Sequence, residues 1–148
     1  MGKIQEPSVV PQPGAPQITP IILPALQNRG VISVVLGDYH YGALTADGKL
    51  LTWGAYSKGA LGLGDPTKIP VGQPGGFVTE DQLRRSATYR GLVRPPPDVT
   101  VPTEVRFDHG EKRRRERYCF AAAAAGWHMG ALVIDLEVRH HRLAAQEF

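Results

Sequence analysis

The chain has 148 residues, room for one ordinary domain, and its 42% hydrophobic content with 13 prolines and 17 glycines describes a loop-rich, β-built protein. Its net charge of +3 has one source: Lys112, Arg113, Arg114, Arg115 and Arg117 outnumber Glu111 and Glu116 by three, so the remainder is balanced, which argues against a nucleic-acid-binding face. Cys119 is the single cysteine, which excludes an intramolecular disulfide and favours a reducing compartment, cytoplasmic or nuclear.

Residues 1–24 carry Pro7, Pro11, Pro13, Pro16, Pro20 and Pro24. Proline lacks a backbone donor and fixes φ, so an extended linker is expected here, with Ile21, Ile22 and Leu23 docking onto the neighbouring domain. The first residues lack the apolar stretch of a signal peptide, and Glu6 stands where myristoylation needs Ser or Thr. No apolar run reaches the ~20 residues of a membrane span, so a soluble protein is expected.

Val31-Ile32-Ser33-Val34-Val35-Leu36 is short, apolar and β-branched, the pattern of a buried strand. A turn at 37–40 leads into a second strand, Tyr41 to Thr45. Asp47-Gly48 fits a type I′ hairpin, and a third strand runs from Lys49 to Gly54 into a glycine-rich loop, Gly59 to Gly64.

Residues 67–101 interrupt this pattern and read as an insertion. Thr79-Glu80-Asp81-Gln82 has capping-box spacing, which predicts a short helix over 80–88, ended by Gly91 and Pro95 to Pro97. Strand signals resume at Pro102 to Phe107. After a charged loop at 108–117, Tyr118 to Ala123 and Met129 to Ile134 read as two more strands, and residues 137–148 as a tail. Propensity alone would make the alanine run helical, but its flanks repeat the first hairpin.

That repeat is the informative feature. His40-Tyr41-Gly42-Ala43-Leu44 recurs as His128-Met129-Gly130-Ala131-Leu132, 88 positions later, each copy preceded by an apolar strand. Propeller units recur every ~40–50 residues, so the excess is close to the insertion plus the charged loop. The expected fold is all-β, a partial β-propeller of about one and a half blades: a first repeat over 25–66 and an incomplete second over 102–136.

Gly37, His40, Ala43, Leu44, Thr45, Gly48, Trp53, Gly54, Gly59, Leu61, Gly62 and Gly64, at these offsets, resemble the regulator-of-chromosome-condensation repeat. The wording of residues 21–30, 53–66 and 125–136 is most similar to the C-terminal part of fungal Skp–cullin–F-box-associated members. The second copy keeps Gly126, His128, Ala131 and Leu132, but its glycine falls one place late and it stops near Leu136 without a Trp-Gly. The resemblance implies a protein-interaction module, not an enzyme: a propeller segment that recognises substrate for an F-box-type ubiquitin ligase. It also admits a piece of a guanine-nucleotide exchange factor, or a truncated product without independent function. A closed propeller needs 4–8 blades, so the missing blades are expected from a longer chain.

The residues themselves point the same way. His40 and His128 sit in separate repeats, whereas zinc needs three or four converging ligands, so their expected work is to hydrogen-bond a turn. Trp53 is expected in the core and Trp127, in a turn, at the surface, where it could anchor a partner. The glycine-rich loop lacks the Gly-Lys-Ser/Thr ending of a phosphate loop, and no catalytic set emerges, so no cofactor or metal is expected. Lys112, Arg113, Arg114, Arg115 and Arg117 form a basic cluster suited to nuclear import or phosphate contact, or simply a solvated loop.

Overall fold

A computed structural model of the protein describes residues 19–56, 59–88, 94–108 and 116–136; the proline-rich residues 1–18, the cations Lys112 to Arg115 and the tail from 137 lie outside them. Among the described residues six strands and one α-helix occur in this order: β1 (Val31–Leu36), β2 (His40–Thr45), β3 (Leu50–Gly54), α1 (Glu80–Thr88), β4 (Val99–Glu104), β5 (Arg117–Ala125) and β6 (His128–Asp135). β1 to β4 form one antiparallel sheet in sequence order, and β5–β6 a separate hairpin.

The turn between β2 and β3 differs from the type I′ hairpin that Asp47-Gly48 suggests. Only Gly48 has a positive φ (79°), and Gly48 N–H donates to Thr45 O at 3.0 Å while Thr45 N–H donates to Lys49 O at 2.9 Å. This is a three-residue loop, a type I turn closed by a left-handed glycine. The Thr45 hydroxyl explains the choice, because it hydrogen-bonds the Asp47 carboxylate and accepts from Lys49 N–H at 3.0 Å. That hydrogen bond holds the Asp47 carboxyl below the usual carboxylate range.

The fourth strand also departs from expectation. It runs over Val99–Glu104, across the boundary between insertion and second repeat, and pairs with β3. Thr52 and Gly54 face Thr103 and Val99, so β4 bulges by two residues around Pro102. Proline has no N–H for a ladder and is tolerated at an edge or bulge. The insertion therefore leaves the first sheet after β3 and re-enters it as β4. Between them α1 is capped by Thr79 Oγ1, which accepts from Gln82 N–H at 3.3 Å, while Gln82 Oε1 accepts from Val78 N–H at 3.2 Å. None of its residues is buried, whereas Phe77 just before it is 5% exposed and anchors the loop.

The sheet has two apolar faces. On one, Ala43, Trp53, Leu61 and Val99 cluster with Tyr41 and with Leu23 and Leu26, which bracket a single 3-10 turn at Pro24–Leu26. Leu23 docks as expected, but Ile22 is 75% exposed. On the other face Leu44, Leu50, Val105 and Cys119 pack with Ala122, Met129, Ala131 and Val133, so the alanine run, a strand throughout, lies across the first sheet. Small alanine side chains let the two layers approach closely.

β1 is not the buried strand its composition suggests: Ile32, Val34 and Leu36 are 64%, 59% and 66% exposed. It lies at the sheet edge, with β2 on one side and no strand on the other among the described residues.

Cys119 is 1% exposed, and burial pushes its thiol pKa up. Thiolate is the reactive form. A thiol reagent should therefore label Cys119 at least roughly a hundredfold more slowly in native buffer than in denaturant, because access requires opening of the two layers. Absorbance of the released chromophore checks this; equal rates would mean that the hairpin does not seat on the sheet.

Candidate protein-interaction surface

The two repeats meet along a seam stitched at both ends. At one end His40, fully buried, donates from Nε2 to His128 O at 3.2 Å, and Asp38 N–H donates to Gly126 O at 3.2 Å. At the other, Cys119 N–H donates to Gly48 O at 2.9 Å and the Tyr118 hydroxyl to Ala46 O at 2.8 Å. His40 thus holds a neighbouring repeat. Its donor must be Nε2, since the acceptor is a carbonyl.

Gly37 is where it is because of this histidine. A Cβ there would lie 2.5 Å from the His40 ring. In the second repeat Ala125 occupies the equivalent place, three residues before His128, and the turn glycine has moved to Gly126 with φ 53°. His128 is exposed.

The repeats also give an internal comparison of faces. In the first, His40, Gly42 and Leu44 are buried beneath β5–β6, with Leu44 5% exposed. Their counterparts His128, Gly130 and Leu132 lie on the far side of the hairpin, and Leu132 is 59% and Ile134 50% exposed. On the opposite side of the stack, Val34 and Leu36 pair with Ala43 and Tyr41 and so share the face turned away from the hairpin. Two apolar surfaces therefore stand open, one at each end of the stack.

Of the other residues singled out from sequence, Trp53 is 7% exposed in the core and Trp127 is 53% exposed in the β5–β6 turn. Gly54, Gly59, Gly62 and Gly64 all have positive φ. Arg117 departs from its expected place in the basic cluster. It lies in β5, donating from Nε to Asp135 at 2.6 Å and from a terminal nitrogen to the Phe107 carbonyl, so its charge serves the hairpin and is not free for phosphate. A cleft of about 380 Å³ beside it is lined by Lys49, Glu104, Arg106 and Glu116, with Lys49 paired to Glu104 at 3.2 Å and Arg106 to Asp108 at 3.1 Å. Among the described residues no His, Cys, Asp or Glu cluster could hold a metal, and no helix is long and apolar enough to cross a membrane.

Two residues escaped the sequence reading. Tyr39 stacks on Trp127, ring centroids 4.5 Å apart at 23°. Both immediately precede the repeat histidine, a signal visible once the copies are aligned. Tyr118 lies over Gly48, where a Cβ would come within 2.3 Å of its ring, and nothing in its sequence context announces this.

A four-stranded antiparallel sheet, stacked face to face on the first hairpin of another, is a partial β-propeller of about one and a half blades. The regulator-of-chromosome-condensation (RCC1) repeat pattern matches residues 31–59, which form most of its first blade. The chain is similar to SCF-associated factor 1 of Saccharomyces cerevisiae, 35% identical over 109 residues, 72% of this chain and 14% of that protein. F-box protein pof9 of Schizosaccharomyces pombe is 28% identical over 121 residues, 80% of this chain and 22% of that one. The chain therefore spans less than a quarter of the length of either relative. Among solved structures, Prp20p of Saccharomyces cerevisiae aligns with a TM-score of 0.45 at 17% identity, covering 79% of this chain and 19% of Prp20p.

Repeat-equivalent leucines should behave differently. Leu44→Ala, in the seam, is expected to cost about 2–5 kcal/mol. Leu132→Ala, its exposed counterpart, should stay within about 0.5 kcal/mol. Gly37→Ala should cost about 1–3 kcal/mol by driving a methyl into the His40 ring. Urea unfolding of the three variants checks the ranking; a Leu132 effect as large as that of Leu44 would contradict the seam.

Proposed function

We propose that this chain is a protein-interaction module, part of a propeller that holds a protein for modification by an F-box-type ubiquitin ligase, and that it carries out no covalent chemistry itself. The observation that carries the reading is the similarity, over 109 residues, to a protein named for its association with the SCF complex. An F-box protein, pof9, matches over 121 residues. The geometry is compatible. The two open apolar surfaces stand at opposite ends of the stack, where further blades of a longer polypeptide would seat. The exchange-factor reading has less behind it, since nothing beyond the presence of the repeat supports it. A nuclear or cytoplasmic site of action accords with the ligase reading.

Affinity purification of the tagged protein from its native cells, including any further repeats encoded with it, tests the proposal. Skp-type and cullin subunits should co-purify, and proteasome inhibition should enrich a ubiquitylated partner. Recovery of a small GTPase without ligase subunits would replace this reading with the exchange-factor one.

A further inference from the structure

The seam covers four positions of the first repeat, and the same four positions of the second stand open. In the first repeat the Tyr39 ring is stacked by Trp127, with centroids 4.5 Å apart. His40 is fully buried and donates to the His128 carbonyl, and Leu44 is buried. A Cβ added at Gly42 would lie 3.3 Å from the terminal methyl of Met129. The counterparts lie 88 residues on, and among the described residues nothing covers them in this way. Trp127 stacks on no described ring but Tyr39, and it is half exposed. His128 and Leu132 are exposed, and a Cβ added at Gly130 would meet nothing within 4 Å. The two hairpins are otherwise built alike. Leu36 pairs with Tyr41 and Val34 with Ala43, as Ala124 pairs with Met129 and Ala122 with Ala131. The extra residue of each bulge, Ile32 in β1 and Phe120 in β5, falls at the same place.

Contact between successive repeats is heterologous: each unit offers one surface to the unit before it and another to the unit after. Trp127 meets Tyr39 with one face of its indole, so the same step taken again places a third ring against the opposite face. It also places a side chain in the position of Met129 over Gly130. We propose that the far side of β5–β6 receives the hairpin of a further repeat of the same polypeptide, with an aromatic residue immediately before its histidine position and a long apolar one immediately after it. The ring stacks on Trp127, and the apolar side chain seats on Gly130. The inference rests on the reading that further blades stack on the open ends, and it names the side chains that select this one. The requirement discriminates between repeats. A small or charged residue in the first place leaves the indole in water, and a short side chain in the second leaves a void over Gly130. In the two repeats of this chain Tyr39 and Trp127 occupy the first place, and Tyr41 and Met129 the second.

Hydroxyl-radical footprinting of the native polypeptide, with every repeat its transcript encodes, tests this against the 148-residue chain alone. Trp127 and Leu132 should be oxidised severalfold more slowly in the longer polypeptide. A further repeat should carry an aromatic residue before its histidine position. Replacing that residue by alanine should return Trp127, but not Leu132, to the rate seen in the chain alone. Gly130→Ala should leave the melting temperature of the chain alone within about 1 °C, yet lower that of the longer polypeptide by roughly 2–4 °C. A transcript without a further repeat, no aromatic residue at that place, Trp127 equally reactive in both, or Gly130→Ala tolerated equally in both would overturn the proposal. Slower oxidation of Leu132 with Trp127 unchanged would retain the seat of the next blade and exclude the ring contact. No ligase subunit takes part in these readouts, so their failure is distinguishable from failure of the ligase reading.

Discussion

Both faces of the sheet β1–β4 carry apolar side chains, Trp53 and Val99 on one and Leu44 and Leu50 on the other, and such a sheet is stable only when each face is covered. One cover is local and partial: the single turn at Pro24–Leu26 and Leu23 before it pack on the cluster of Trp53 and Val99 and leave Val34 and Leu36 exposed. The other is the alanine-rich hairpin from the far end of the chain. His40 is the residue on which this second cover turns. Its ring occupies the space a Cβ at Gly37 would need, and its Nε2 reaches the carbonyl of its own counterpart in the next repeat. Its Nε2–H is satisfied there, while Nδ1 is buried without a partner among the described residues; an unpaired buried polar group costs about 1–3 kcal/mol.

The first blade was largely readable because its signals are local. Alternation, a Gly-containing turn and a Trp-Gly at fixed offsets each act over a few residues, and β1, β2 and β3 appear where the residues place them. What failed to show was non-local. The exposure of β1 depends on which strands lie beside it, and six apolar residues look the same at an edge as in the middle of a sheet. β4 was hidden because its pairing partner precedes the insertion, and Pro102 speaks against a strand unless the bulge is known. The turn after β2 is set by the Thr45 hydroxyl, a side-chain effect that the dipeptide Asp47-Gly48 conceals.

The candidate surface was readable to a similar degree. The repeat placed His40 and His128 in equivalent positions, yet one is buried and the other exposed, because only the first has a neighbour on that side among the described residues. Trp127 stood out alone; its pairing with Tyr39 needs two turns 88 residues apart in the repeat register to be brought together by the seam. Arg117 sat in a charge run by sequence and in a strand by structure, since Asp135 across the hairpin neutralises it. Sequence neighbours share composition, whereas their fates depend on what the fold puts opposite them.

The bulge in β4 has a bearing on how the molecule can grow. Two surplus residues and a proline leave that border of the sheet without a regular row of donors and acceptors, so another strand cannot readily be laid alongside it. Extension is thereby steered away from the plane of the sheet and into the stacking direction. Successive layers then turn about a common axis and can close on themselves, where edge-to-edge addition would run on as an open ribbon.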